Sequence, residues 1–135
     1  MATPFTTTLD RLIACFQAAF EHSAVVRREE RPSMALIEMS GDYGAYQVRL
    51  KEIRRADGVR RYAYYVLDRS AVVVGFDNAS DPRALRLKYG KNYVHHRLEL
   101  IPHRHARNKG AIDLSDEMDG ESFVSWVKEN LPRTQ

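Results

Sequence analysis

The alternation of apolar and polar residues between positions 46 and 51 constrains the fold of this chain more than any other feature. Tyr46, Val48 and Leu50 are apolar, and the residues between and after them are Gln, Arg and Lys. Side chains alternate between the two faces of a β-strand, so this pattern predicts a strand with one buried face and one face in water. Such half-buried strands are typical of antiparallel sheets.

Neighbouring segments extend this strand into a predicted antiparallel meander. Turn residues at positions 40–42, 57–58 and 68–70 separate runs of strand-forming residues. The four predicted strands cover residues 34–39, 46–51, 61–67 and 71–76. A fifth strand over residues 98–105 is predicted at the sheet edge, because Pro102 cannot donate a ladder hydrogen bond.

Helical spacing of apolar residues appears at both ends of the chain. Residues 9–22 are predicted to form a helix with Thr8 as its N-cap, and a second helix is predicted between Asp119 and Pro132. A short helix over residues 83–89 is also predicted, whereas the charged residues 25–32 are interpreted as a connector. The predicted fold class is α+β, an antiparallel meander of four to five strands with an N-terminal and a C-terminal helix.

Length and residue usage indicate one intracellular domain. The 135 residues suit a single domain, with residues 8–23 as an N-terminal helical extension. The longest apolar run, residues 71–76, is far shorter than the roughly 20 residues of a membrane-spanning helix. Cys15 is the only cysteine, so an internal disulfide is excluded and a cytoplasmic location is predicted. No membrane partner is expected.

Positive charge is concentrated between residues 81 and 110. This segment has eight Lys or Arg residues against Asp81 and Glu99, a net charge of +6, and it contains four of the five histidines. Such a basic segment attracts phosphate, nucleic acid or an acidic partner. A solvated surface loop has the same composition, and both interpretations remain open.

The candidate chemistry lies in Asp77-Asn78 and in the segment from His103 to His105. In an extended segment, His103 and His105 point to one face and Arg104 to the other. Asp77 and Asn78 end a buried strand, where polar residues are either turn formers or site residues. Two histidines at this spacing suit an acid–base pair or, together with a carboxylate, a divalent metal ion.

Several sequence motifs are absent. The chain has no glycine-rich phosphate loop, no Cys-x-x-Cys pair, no Gly-x-Ser-x-Gly segment and no His-Glu-x-x-His segment. Loop-based nucleotide hydrolases, zinc ribbons, serine hydrolases and zincin proteases are therefore disfavoured.

The order of these segments is similar to that of a known family. A tyrosine-rich strand at residues 62–65, the run Phe76-Asp77-Asn78-Ala79 and the run at residues 101–105 precede a C-terminal helix. This arrangement resembles the TumE-type toxins of bacterial type II toxin–antitoxin systems, over about residues 34–131. Gly75 stands where that family usually has arginine. The resemblance implies a toxin that acts on RNA or translation and is neutralised by a co-encoded helix-turn-helix antitoxin.

Three functional hypotheses follow. The first is a small metal-independent ribonuclease that needs no cofactor, with a histidine pair as acid and base near a phosphate held by cations. Its predicted catalytic residues are His103, His105, Asp77 and Asn78, and its predicted substrate-binding residues are Arg104, Arg97, Lys91, Arg107 and His96. The second is a hydrolase with a divalent metal ion at Asp77, His103 and His105. The third is a non-enzymatic module that binds nucleic acid or an acidic partner. A homo-oligomer remains open.

The sequence also predicts how the histidines tolerate substitution. Because His103 and His105 follow Pro102 on an expected edge strand, they are predicted to be exposed. Replacing either one by alanine is then expected to leave the fold intact.

Overall fold

The computed structural model describes residues 2–106 and 108–133. These residues form three α-helices, one 3₁₀ segment and a single antiparallel sheet of seven strands. In chain order the elements are α1 (Thr6–Ala19), β1 (Glu21–Glu30), β2 (Met34–Tyr43), β3 (Tyr46–Arg55), β4 (Arg60–Asp68), β5 (Ala71–Asp77), α2 (Pro82–Tyr89), the 3₁₀ segment (Gly90–His96), β6 (His103–Ala106), β7 (Ala111–Leu114) and α3 (Gly120–Asn130). The fold is therefore α+β.

The sheet is a meander in which the strands lie in sequence order from β1 to β7. The four predicted central strands correspond to β2–β5 and are confirmed. In β3, Val48 and Leu50 are buried while Arg49 and Lys51 are exposed, as the alternation predicts. One face of the central strands is therefore apolar and the other polar.

The prediction of four to five strands is wrong, because two further strands lie at the two edges of the sheet. β1 occupies most of the segment that was interpreted as a charged connector, and β7 follows the basic segment. Most residues of both strands are exposed. An edge strand without a buried face shows no alternation, so its sequence resembles that of a loop.

Two predicted elements also differ from the observed ones. α1 begins after Phe5 and ends at Ala19, so Thr8 lies inside the helix and is not its N-cap. The fifth predicted strand is the shorter β6, which lies between β5 and β7 and not at an edge. Pro102 lies just before β6, so its missing N–H removes no ladder bond.

The main core lies between one face of the sheet and the helices α1 and α3. Leu9 and Phe16 of α1 and Phe123 of α3 are at most 1% exposed and pack on sheet residues such as Tyr64. Asp119 caps α3 by accepting a hydrogen bond of 2.7 Å from the Ser122 N–H, as predicted.

The opposite face of the sheet is covered only near β6 and β7. Ala84 and Leu85 of α2 form a small second core with Ile101, and Ile112 of β7 packs against it. Ile112 lies opposite His105 in the register, so α2 and the histidine pair share this face. The same face of β2–β4 carries no helix in the described part of the chain. No helix among residues 2–106 and 108–133 has the length and apolar character needed to cross a membrane.

Candidate metal centre

Four neighbouring strands bring the candidate residues into two rows on the face opposite α1 and α3. In one row the register joins Lys51, Ala63, Asp77 and His103 across β3, β4, β5 and β6. The adjacent row joins Arg49, Tyr65, Gly75 and His105. Side chains on one face of neighbouring strands lie within contact distance, so residues far apart in sequence form one site.

Asp77, His103 and His105 form a compact cluster of three potential ligands. The Asp77 Oδ1 atom lies 2.9 Å from His103 Nε2, and Asp77 Oδ2 lies 3.0 Å from His105 Nε2. The two Nε2 atoms are 3.1 Å apart. The prediction that Asp77 and the histidine pair lie close together is confirmed, and the three side chains can offer one ligand atom each to a shared metal ion.

This cluster is buried, in contrast to the prediction of exposed histidines. The exposed fraction is 1% for His103, 3% for His105 and 7% for Asp77. The prediction is wrong because β6 has a neighbour on each side and α2 packs on the same face. Removing either imidazole therefore creates a cavity.

The two histidines are oriented in different ways. His103 Nδ1 lies 2.6 Å from the carbonyl oxygen of Ile101. Because a carbonyl only accepts hydrogen bonds, Nδ1 carries the proton, and the ring directs Nε2 at the cluster. His105 Nδ1 is buried without a hydrogen-bond partner among the described residues, so no such bond fixes its tautomer. Its ring stacks on Tyr65 with centroids 6.2 Å apart.

Tyr65 is the fourth member of the site, and sequence reasoning missed it. Its hydroxyl donates a hydrogen bond of 2.7 Å to Asp77 Oδ2. Its neighbours on β4, Tyr62 and Tyr64, both lie on the core face. Side chains alternate along β4, so Tyr65 lies on the face opposite the core. Only the pairing of β4 with β5 shows that Asp77 lies on the same face as Tyr65.

Gly75 allows Tyr65 to reach the carboxylate. A Cβ atom at position 75 would lie 2.2 Å from Cε1 of the Tyr65 ring, which is far inside van der Waals contact. The ring therefore crosses the strand directly above Gly75. Lys109 Nζ lies 4.7 Å from the ring centroid and adds a positive charge beside the site.

The charges of the cluster are strongly coupled. Burial opposes the ionised form of Asp77, but hydrogen bonds from His103 and Tyr65 outweigh it and hold the pKa at about 2. Burial also opposes a charged His103, yet its bonds to Asp77 and the Ile101 carbonyl raise its pKa. For His105, burial and the neighbouring His103 and Lys109 lower the pKa despite Asp77. In the metal-free protein, the Asp77 carboxylate therefore favours a proton on His103 more than on His105.

Two of the other predicted site residues point elsewhere. The Asn78 side chain accepts a bond of 3.0 Å from the Tyr62 N–H and donates one of 2.8 Å to the Arg60 carbonyl. It therefore tethers the start of β4. Arg104 points away from the histidines, as predicted, and its guanidinium lies 5.1 Å from the Trp126 ring centroid on the core side.

The predicted substrate-binding residues of the basic segment do not join the cluster. Lys91 and His96 belong to the 3₁₀ segment, and Arg97 follows it. His96 stacks on Tyr89 with centroids 3.6 Å apart and lies 3.0 Å from Glu99. Within residues 2–106 and 108–133, these three side chains make no hydrogen bond or ion pair with Asp77 or the histidine pair. Arg107 lies outside the described residues.

Comparison with protein-family models, curated proteins and solved structures found no match. The resemblance to TumE-type toxins therefore stays a prediction. The functional assignment of this chain rests on the residues of the site.

Gly75→Ala is expected to destabilise the protein by about 1 to 3 kcal/mol, because the added methyl group displaces the Tyr65 ring. In the interior of an ordinary strand, replacing glycine by alanine slightly stabilises the protein. A loss of stability at position 75 would therefore point to the contact with Tyr65. Thermal unfolding of Gly75→Ala, Tyr65→Ala and the double variant tests this. The cost of Gly75→Ala should largely disappear in the Tyr65→Ala background, and an equal cost in both backgrounds would show that Tyr65 is not the obstacle.

Proposed function

We propose that this protein is a metal-dependent hydrolase with one divalent transition-metal ion held by Asp77, His103 and His105. The convergence of the Asp77 carboxylate and the two Nε2 atoms carries the proposal, because Oδ1 lies 2.9 Å from His103 Nε2, Oδ2 lies 3.0 Å from His105 Nε2 and the two nitrogens are 3.1 Å apart. An octahedral ion with bonds of about 2.1 Å has adjacent ligands roughly 3.0 Å apart. The contacts between the carboxylate and each imidazole, and between the two imidazoles, are close to this spacing.

The donor set favours particular ions. Two imidazole nitrogens and one carboxylate suit Zn²⁺, Mn²⁺, Fe²⁺ and related ions, whereas Mg²⁺ and Ca²⁺ prefer oxygen ligands. The bond from His103 Nδ1 to the Ile101 carbonyl supports this assignment, since metal-binding histidines usually donate the second ring N–H in this way. The Tyr65 hydroxyl likewise orients a ligand, because its hydrogen bond holds the Asp77 carboxylate in place.

Three protein ligands leave coordination positions for water and substrate. A bound ion would lower the pKa of a coordinated water and so supply a nucleophile near neutral pH. The site would then suit hydrolysis of a phosphodiester to a phosphate monoester and an alcohol, with one water consumed. The residues of this chain hold the ion, and Tyr65 fixes the Asp77 carboxylate.

The geometry favours this chemistry over metal-independent acid–base catalysis. A histidine acid and base must each reach the substrate. Here both Nε2 atoms face the same carboxylate and each other, and both rings are nearly fully buried. A toxin role, RNA as the target and a helix-turn-helix antitoxin stay predictions that are compatible with a hydrolase.

Hydrolysis of bis(p-nitrophenyl) phosphate tests the proposal. Protein treated with chelator should be inactive, and addition of Mn²⁺ or Zn²⁺ should restore turnover. His105→Asn should lower the metal-dependent rate by at least about 100-fold. His22→Asn is the matched control, since the His22 side chain is 78% exposed and lies on β1. Equal activity of both variants would contradict the proposal.

Acidification is expected to weaken metal binding. The raised pKa of His103 means that its Nε2 proton competes with the ion at a higher pH than an ordinary histidine would. Below that pKa, the ion must displace one proton in order to bind. The apparent metal affinity then falls about tenfold for each pH unit. The Asp77 pKa of about 2 keeps its carboxylate charged throughout. Competition titrations with a chromogenic chelator between about pH 8 and pH 5.5 should show this slope, and an affinity independent of pH would speak against imidazole ligands.

A further inference from the structure

The uncovered face of β3 and β4 carries a row of exposed cations. Arg49 and Lys51 lie on β3 and Arg61 lies on β4, all with side chains on the face of Asp77. Lys51 pairs with Glu38 at 3.3 Å. Among the described residues, Arg49 and Arg61 have no carboxylate within ion-pair distance. This face therefore presents positive charge that the protein does not neutralise.

The strand register places these cations beside the metal centre. Arg49 lies directly opposite Tyr65, and Lys51 and Asp77 flank Ala63 on its two sides. Arg61 is two residues from Ala63 on β4, and Lys109 approaches the ring of Tyr65. The cations therefore lead toward Asp77 from the open side of the sheet.

Ala63 lies in a hollow beside the cations. Two adjoining depressions of about 510 Å³ and 130 Å³ both have Lys51 and Ala63 in their walls. Tyr65 borders the larger depression and Asn78 the smaller one. Ala63 stands between Lys51 and Asp77 in the register, and its small methyl side chain fills little of the space between them.

We propose that this face binds single-stranded nucleic acid, with phosphates at Arg49, Lys51 and Arg61 and a phosphodiester above Ala63. The Tyr65 ring forms part of the wall of the larger depression, beside these cations. The inference rests on the proposed function, because it names the substrate that the metal centre would cleave. Binding itself requires only the cations and the ring.

The spacing of the cations favours a strand over a small phosphate. Arg61 lies opposite Ile53, four residues along β3 from Arg49, which corresponds to about 14 Å at 3.4 Å per residue. One phosphate group cannot contact both ends of that row. Single strands bind to grooves that combine cations with aromatic rings, because every nucleotide has one phosphate and one base.

Fluorescence anisotropy with RNA and DNA versions of a labelled strand of roughly 12 nucleotides tests the inference. The measurement is made in EDTA, which removes any dependence on metal. Combined Arg49→Gln, Lys51→Gln and Arg61→Gln should weaken binding at least about tenfold and reduce the salt slope by about 2. A preference for the RNA version would indicate that the 2′-hydroxyl is recognised. Equal binding of RNA and DNA would indicate that only the phosphodiester chain, which both share, is recognised.

A second triple variant controls for net charge. Arg11, Lys128 and Arg133 are exposed, and they lie on α1, on α3 and after α3. Their combined replacement by Gln should leave most of the affinity, and an equal loss in both triple variants would overturn the inference. Equal binding of a polyglutamate peptide would do so as well, since it would identify an acidic protein as the partner.

The same assays separate this inference from the proposed function. Wild-type protein that takes up metal but does not bind the strands would contradict this inference alone. Wild-type protein that binds the strands in EDTA but takes up no metal would contradict the proposed hydrolase and leave the binding face standing.

Discussion

Asp77→Asn is expected to weaken the binding of Zn²⁺ or Mn²⁺ by at least about 100-fold. Asparagine has nearly the same shape as aspartate, but it lacks the negative charge that faces both imidazoles at 2.9 and 3.0 Å. Only the two neutral histidine nitrogens then remain as ligands. The effect should be specific to metal binding, because Asn retains an oxygen that can accept the hydrogen bond from Tyr65.

Isothermal titration calorimetry of metal-free protein measures this effect. Asp42→Asn is a matched control, since Asp42 lies on β2 and bonds only His22 among the described side chains. Its metal affinity should match that of wild type. If Asp77→Asn also binds one ion with wild-type affinity, Asp77 is not a ligand and the cluster is a hydrogen-bonded structural element.

Glu52→Ala is expected to lower the free energy of unfolding by about 3 to 5 kcal/mol. Glu52 is 1% exposed on the core face of β3. It accepts hydrogen bonds from the Tyr64 hydroxyl, from Arg54 Nε at 2.9 Å and from Arg60 Nη1 at 3.4 Å. Its removal takes from Arg60, whose side chain is only 12% exposed, one of its two carboxylate partners, and the buried Tyr64 hydroxyl loses its acceptor.

Urea unfolding of Glu52→Ala and Glu38→Ala compares a buried with a half-exposed ion pair. Glu38 lies on β2 and pairs with Lys51 on the uncovered face, where both side chains contact solvent. Its replacement should cost less than about 1 kcal/mol. Similar losses of stability in the two variants would show that the Glu52 network contributes no more than a surface ion pair.

The central sheet was predictable because each of its strands has a buried face and an exposed face, which produce an alternation of apolar and polar residues in the sequence. β3 alternates between Val48 or Leu50 on the core face and Arg49 or Lys51 in water, and this alternation is a local property. β1 and β7 were not predictable, because most residues of these edge strands are exposed and the strands do not show this alternation.

The candidate site was predictable only in part. The spacing of His103 and His105 places both rings on one face of a strand, and Asp77 was recognised as a polar residue that ends a buried strand. Tyr65 and Gly75 were missed, because their proximity depends on how β4, β5 and β6 pair.

The proposed binding surface shows the same limit of sequence reasoning. Sequence reasoning selected the dense basic segment of residues 81–110, including Lys91 and Arg97. Apart from Lys109, the cations next to the cluster are instead dispersed along β3 and β4. The burial of the histidines was also missed, because neither β7 nor the packing of α2 on this face leaves a local signal.

The metal content of the wild-type protein tests the central claim most directly. Protein is stripped with chelator, equilibrated with Zn²⁺ or Mn²⁺, passed through a desalting column and analysed by inductively coupled plasma mass spectrometry. The geometry of Asp77, His103 and His105 predicts one tightly bound ion per chain. Metal at less than about one tenth of an ion per chain, under conditions where the protein is folded, would contradict the metal centre.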